Sequence, residues 1–101
     1  MSLTGRQKRH LRSLAQRLEP VAWVGETGLT DGVVRAVGEA LTTYELVKVR
    51  MRDPRDKHAL AEELAAASGA ELAGLVGHTT ILYRAHPEEP KIVLPRPGPA
   101  S

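Results

Sequence analysis

Val21-Ala22-Trp23-Val24-Gly25-Glu26-Thr27-Gly28-Leu29 decides how this 101-residue chain is read. A short apolar run ends in two glycines three positions apart, and an amphipathic segment opens just beyond them. That order predicts a buried strand, a tight Gly-x-x-Gly loop and the N-terminus of a helix. Without a Cβ, Gly25 and Gly28 let the backbone take positive φ and let an external chain come close. Helix N-termini add unpaired N–H groups and a partial positive charge, which suit phosphate. A loop of this kind can clamp a nucleic-acid backbone. A plain strand-to-helix turn uses glycine just as readily, so the four residues alone leave both readings open.

Downstream, Thr30 or Asp31 caps a helix running to about Thr43, with Val33, Val34, Val37, Ala40, Leu41 and Tyr44 as its buried side. Leu46 to Arg52 alternates, with Val47, Val49 and Met51 on one side and Lys48, Arg50 and Arg52 on the other. That pattern is a half-exposed strand with a cationic outer face. Asp53-Pro54 breaks the strand, Asp56 caps a third, alanine-rich helix ending near Ser68, and Gly69 stops it. Leu60 and Leu64 mark its buried side. Leu72 to Val76 and Thr79 to Arg84 read as strands joined by a short hairpin connection at Gly77-His78. Beyond Ala85 the prolines multiply: Lys91 to Leu94 can still lie against the domain, and residues 97–101 are expected to form a disordered tail.

Upstream, Thr4 to Leu18 predicts a first helix with Leu11, Leu14, Ala15 and Leu18 as one apolar stripe. Thr4 is its N-cap and Pro20 its stop. Arg6, Lys8, Arg9, Arg12 and Arg17 cover the remainder, and no acid appears before Glu19. A solvated face normally mixes signs, so this run favours a phosphate-facing role. The resulting order, α-β-α-β-α-β-β, predicts an α/β fold: a four-stranded mixed sheet with helices mainly on one face. Its other face would carry Lys48, Arg50 and Arg52. Trp23 is expected to pack in the core or on the sheet face rather than to stack on a base. With only Trp23, Tyr44 and Tyr83 as aromatics, an aromatic-rich RNA-binding sheet is excluded.

The bulk numbers fit one modest core: 42% hydrophobic and 26% charged residues, with a net charge of +2. The pI near 9.3 leans basic. The absence of cysteine excludes disulfides, thiolate zinc sites and a cysteine nucleophile. No apolar run spans a membrane and no signal-peptide core is present, so the expected location is the cytoplasm. His10, His58, His78 and His86 lack metal-ligand spacing, and no acid pair, nucleophile motif or dinucleotide fingerprint stands out. The expectation is a non-enzymatic monomer with no metal, no cofactor, no small-molecule substrate and no membrane partner.

Five blocks carry a resemblance: Leu3 to Leu11, Val24 to Val33, Glu45 to Val49, Gly77 to Arg84 and Lys91 to Arg96. On these the chain resembles, from about Leu3 to Arg96, a YhbY-type stand-alone CRM domain, named for chloroplast RNA splicing and ribosome maturation, which implies one RNA-binding domain over residues 1–96. The resemblance implies a fold similar to the C-terminal domain of bacterial initiation factor three. It also implies RNA binding and association with precursors of the large ribosomal subunit during ribosome assembly, with ribosomal RNA as the partner. In that setting Arg6, Lys8, Arg9 and Arg12 would lie on phosphates, and Gly25, Glu26, Thr27 and Gly28 would form the loop against the RNA backbone. Lys48, Arg50 and Arg84 are further candidates. Two positions depart from the family pattern: His78 stands where lysine is common, and Glu26 puts an acid in the loop, where it repels phosphate unless it turns away or pairs. An architectural DNA-binding protein and a protein-interaction adaptor are the rival readings.

Overall fold

The computed structural model describes residues 3–25 and 27–96. In chain order the elements are α1 (Gly5–Ala15), β1 (Pro20–Val24), α2 (Asp31–Tyr44), β2 (Leu46–Met51), α3 (Lys57–Ser68), β3 (Glu71–Val76) and β4 (Thr79–Tyr83). The α/β order and the mixed sheet are those the sequence predicts. The strands lie in the order β1-β2-β4-β3. β1 runs parallel to β2, while β2 with β4 and β3 with β4 are antiparallel. The expected tail at 97–101 and the loop residue Glu26 lie outside the described residues.

Local chemistry sets the helix ends. The Thr30 hydroxyl accepts from Val33 N–H at 3.2 Å, and the Asp56 carboxylate accepts from Ala59 N–H at 3.1 Å. Both satisfy first-turn donors that a helix leaves unpaired. Gly69 ends α3 at φ +67, in the left-handed region that glycine enters without steric cost.

The period-two pattern of β2 divides two cores. Val47, Val49 and Met51 face α2 and α3, where they meet Val24, Val37, Leu41, Leu64 and Leu82. Leu46 points the other way, into a second core with Leu11, Ala15, Ala73, Ile81 and Tyr83. Two helices thus share one face, and α1 covers part of the opposite face. Only the remainder of that face keeps the exposed cationic character that the sequence assigns to all of it.

Three local expectations change. α1 stops at Ala15, because the chain must turn back to enter β1. The i→i+3 bonds from Gln16 N–H to Ser13 and from Leu18 N–H to Ala15 tighten that turn. Leu18, beyond the helix end, is 37% exposed, and Leu14, to the side of Leu11 and Ala15 on the last turn, is 41% exposed, so neither joins the stripe. β1 is not buried on both sides: it is an edge strand, and Val21 and Trp23 look out while Val24 looks in. Tyr44, at the last turn of α2, is exposed and not core.

Between α2 and β2 sits a feature the periodicity does not announce. Glu45 is 1% exposed, and its carboxylate accepts three backbone N–H groups: His86 at 2.7 Å, Lys91 at 2.8 Å and Ile92 at 2.9 Å. Its backbone stands at φ +67, a conformation favouring glycine, yet glycine could not supply the carboxylate. The bonds fasten the C-terminal segment, and Ile92 and Leu94 then pack with Leu3 against the core beneath α1. Gln7 donates to the Pro95 carbonyl at 3.1 Å and closes the same seam.

Burial pushes the Glu45 carboxyl up, but the three donors and the nearby His86 outweigh it and hold it below its ordinary 4.5. A carboxyl depressed in the folded state adds stability that is complete above its unfolded value and is lost as pH falls through the folded one. Denaturant titrations across the acid range should therefore show stability falling below about pH 4.5, with a shallower fall in Glu45→Gln. Glu45→Ala, which strands the donors, should cost about 2–4 kcal/mol at neutral pH.

Candidate nucleic-acid interface

α1 begins with a reciprocal capping box. The Thr4 hydroxyl accepts from Gln7 N–H at 3.1 Å, and the Gln7 side chain accepts from Thr4 N–H at 3.0 Å. With Leu11 and Ala15 fixed inward, helical spacing turns Arg6 and Arg9 outward, and both are exposed. Arg17, just past the helix, is exposed as well. Lys8 sits half-buried at the flank.

Arg12 has a different position. Its stem crosses Gly74 of β3 so closely that a Cβ built there would stand 2.5 Å from Arg12 Cδ, and its Nη1 donates to the Ala73 carbonyl at 3.2 Å. Gly74 is a close-approach glycine, and Arg12 is part of how α1 seats on the sheet.

The loop between β1 and α2 is the tight turn expected. Gly28 N–H donates to the Gly25 carbonyl at 3.1 Å, and Gly28 takes φ +82. Gly25 and Thr27 are exposed, and nothing lies within 4 Å of a Cβ built at either glycine. Backbone conformation thus requires glycine at Gly28, whereas Gly25 has no positive φ and a Cβ there would meet no neighbour. On its α3 side the loop borders a cleft lined by Asp53, Asp56 and Glu63 against the single cation Arg55. An anion is repelled there, which leaves the opposite side of the loop the less acidic one.

That other side belongs to the uncovered half of the sheet. Parallel register pairs Trp23 with Arg50, and antiparallel register pairs Arg50 with Thr79 and Thr79 with Val76. Trp23 is 56% exposed and Val76 58%. The Arg50 guanidinium lies 5.6 Å from the centre of the Trp23 ring, a cation–π distance. Lys48 Nζ, on the same face, donates to the Leu18 carbonyl at 3.2 Å, which ties the α1–β1 turn to β2. Periodicity alone misses the exposure of Trp23, because an all-apolar run carries no alternation to separate its faces. His78, in the β3–β4 turn where Gly77 takes φ +58, is also exposed.

Arg84 is drawn inside the fold. Its Nη1 donates to the Ser68 carbonyl at 2.6 Å, and its Nη2 donates to the Gly38 carbonyl at 2.8 Å and the Thr42 hydroxyl at 2.9 Å. It clamps the end of α3 to α2. The structure therefore leaves Arg6 and Arg9 exposed on α1, sets Arg50 beside Trp23 with Lys48 on the same sheet face, and commits Arg84 to the seam between α2 and α3. Among the described residues no three His, Asp or Glu side chains assemble as a metal site would need.

The profile of the CRS1 / YhbY (CRM) domain matches residues 3–84. The chain is 40% identical over 95 residues to a Bacillus subtilis protein named probable RNA-binding protein YqeI, covering 92% of this chain and 99% of that one. It is 38% identical over 93 residues to the probable RNA-binding protein PA4753 of Pseudomonas aeruginosa, covering 90% and 89%. The solution structure of the Staphylococcus aureus protein SAV1595 superposes with a TM-score of 0.80 at 37% identity, covering 92% of this chain and 99% of that one.

The two arginine environments separate in a mutant pair. Arg84→Ala removes three charge-assisted bonds and should lower stability by about 2 kcal/mol in denaturant titration. Arg9→Ala should stay within about 0.5 kcal/mol of the parent, as exposed substitutions do.

Proposed function

The chain belongs to the CRS1/YhbY (CRM) domain family, and from that membership we propose that it binds ribosomal RNA on precursors of the large subunit and assists their assembly. The observation that carries the RNA-binding part is the outward face of α1. Arg6 and Arg9 are exposed, Arg17 follows, and no acid lies between Arg6 and Arg17. Gly25, Thr27 and Gly28 would offer backbone to the RNA, while Lys8, Lys48 and Arg50 add positive charge beside the path. Arg12 contributes by seating α1. The names given to the relatives support RNA as the ligand, and the five motif blocks support the large-subunit precursor as the particle.

Such an interface reads the shape and charge of a folded RNA. Cations on a helix neutralise phosphates and release counterions, whatever the base sequence. That part of the affinity is generic, with dissociation constants of about 10⁻⁴ to 10⁻⁶ M at physiological salt. A precursor-specific factor must add interactions that finished particles do not offer.

Binding to ribosomal RNA fragments should weaken steeply with salt. Replacing both Arg6 and Arg9 by alanine should shallow the log–log slope by roughly 0.7–0.9 for each phosphate that is no longer neutralised. An unchanged slope would place the RNA elsewhere on the protein. In a sucrose gradient of cell lysate at near-physiological salt, the protein should sediment with immature large-subunit particles, identified by their unprocessed RNA ends. Even spreading over both subunits, or presence only at the top of the gradient, would overturn the assembly role.

A further inference from the structure

The side chains that register places on the uncovered half of the sheet form a chemically odd patch. Trp23 presents more than half of its surface, at 56%, beside the exposed Val76. Arg50 lies over the ring at 5.6 Å, Lys48 stands two residues earlier on β2, and Thr79 completes the row. None of these residues is acidic. A large aromatic left open to water is unfavourable by the apolar area that it fails to bury. The strand does not require tryptophan: any apolar residue facing outward on an edge would satisfy its period.

We propose that Trp23, with Arg50 beside it, is a stacking platform for an unpaired RNA base. The proposal rests on the RNA-binding reading above and adds to it a base contact, where α1 and the glycine loop supply only backbone contacts. Charge selects the ligand. Arg50 and Lys48 favour an anionic partner, and the flat apolar ring favours a planar apolar group. An unpaired nucleotide offers both at once: its phosphate meets the cations and its base lies on the indole. The position on the chain fits as well. Trp23 stands two residues before Gly25, so a strand whose backbone passes the loop carries its next base toward the ring. A fully paired helix keeps its bases stacked internally and cannot use the platform.

Trp23 is the only tryptophan, so its fluorescence reports the contact directly in the unmodified protein. Titration with a single-stranded RNA oligonucleotide, excited where Tyr44 and Tyr83 do not absorb, should quench the emission. A blunt RNA duplex of equal phosphate count should bind through charge with little quenching. Trp23→Ala should weaken single-strand binding about 5- to 100-fold, corresponding to one stacked base, and leave the salt slope unchanged. Trp23→Phe should recover most of the loss. Because the side chain is largely exposed, both variants should keep the parent's circular dichroism and melting.

Equal quenching by duplex and single strand would overturn the platform. So would an unaltered affinity in Trp23→Ala while the parent still binds RNA with a steep salt dependence. In that second case RNA binding by α1 stands and stacking alone fails. Absence of any RNA binding by the parent at low salt would remove both.

Discussion

Much of this molecule hangs on one buried carboxylate. Glu45 takes the backbone N–H groups of His86, Lys91 and Ile92, residues with no regular secondary structure of their own. An ionised side chain out of water is tolerable only when its lone pairs are filled, and here the donors come from a segment that needs acceptors. The exchange holds residues 86–92 in place. That segment in turn carries Ile92 and Leu94 under α1, where they meet Leu3 near the start of the helix. The direction in which α1 points its cations is therefore set partly from the far end of the chain.

The second organising contact is the meeting of α1 with β3. Gly74 has no Cβ, so the Arg12 stem can lie flat across the strand and reach Ala73. Arg6, Arg9 and Arg12 share one short helix and one charge, yet the packing divides them. Two face solvent, and one bonds within the protein. Arg84 goes further and commits its guanidinium to the carbonyls of Ser68 and Gly38. The Ser68 carbonyl ends α3 and would otherwise be unpaired, so the cation there stabilises the fold.

Charge is thus distributed by side of the molecule. The cleft beside the glycine loop is lined by Asp53, Asp56 and Glu63, which discourage an anion from the α3 side. The opposite side holds Lys48, Arg50 and Trp23 below the same loop. A loop whose described residues carry no charge acquires a preferred direction of approach from its neighbours.

Local pattern was legible in the sequence wherever its cause is local. The alternation of Val47, Val49 and Met51 places β2, because side chains on a strand must alternate. Thr30, Asp56 and Gly69 mark helix ends, because caps act within three or four residues. Gly28 and Gly77 announce turns that require positive φ. The order of elements followed from these, and the glycine loop stands where the apolar run ends. The burial of Glu45, the capture of Arg84, the seat of Arg12 on Gly74 and the exposure of Trp23 were decided only by tertiary structure. Their partners lie 41 to 47 residues away for Glu45, 46 for the Gly38 bond of Arg84 and 61 for the Ala73 bond of Arg12. A periodic pattern says which side of an element is apolar. It does not say which element will cover that side, and for Trp23, on the edge strand that α1 leaves uncovered, that lack of coverage decides between core and surface.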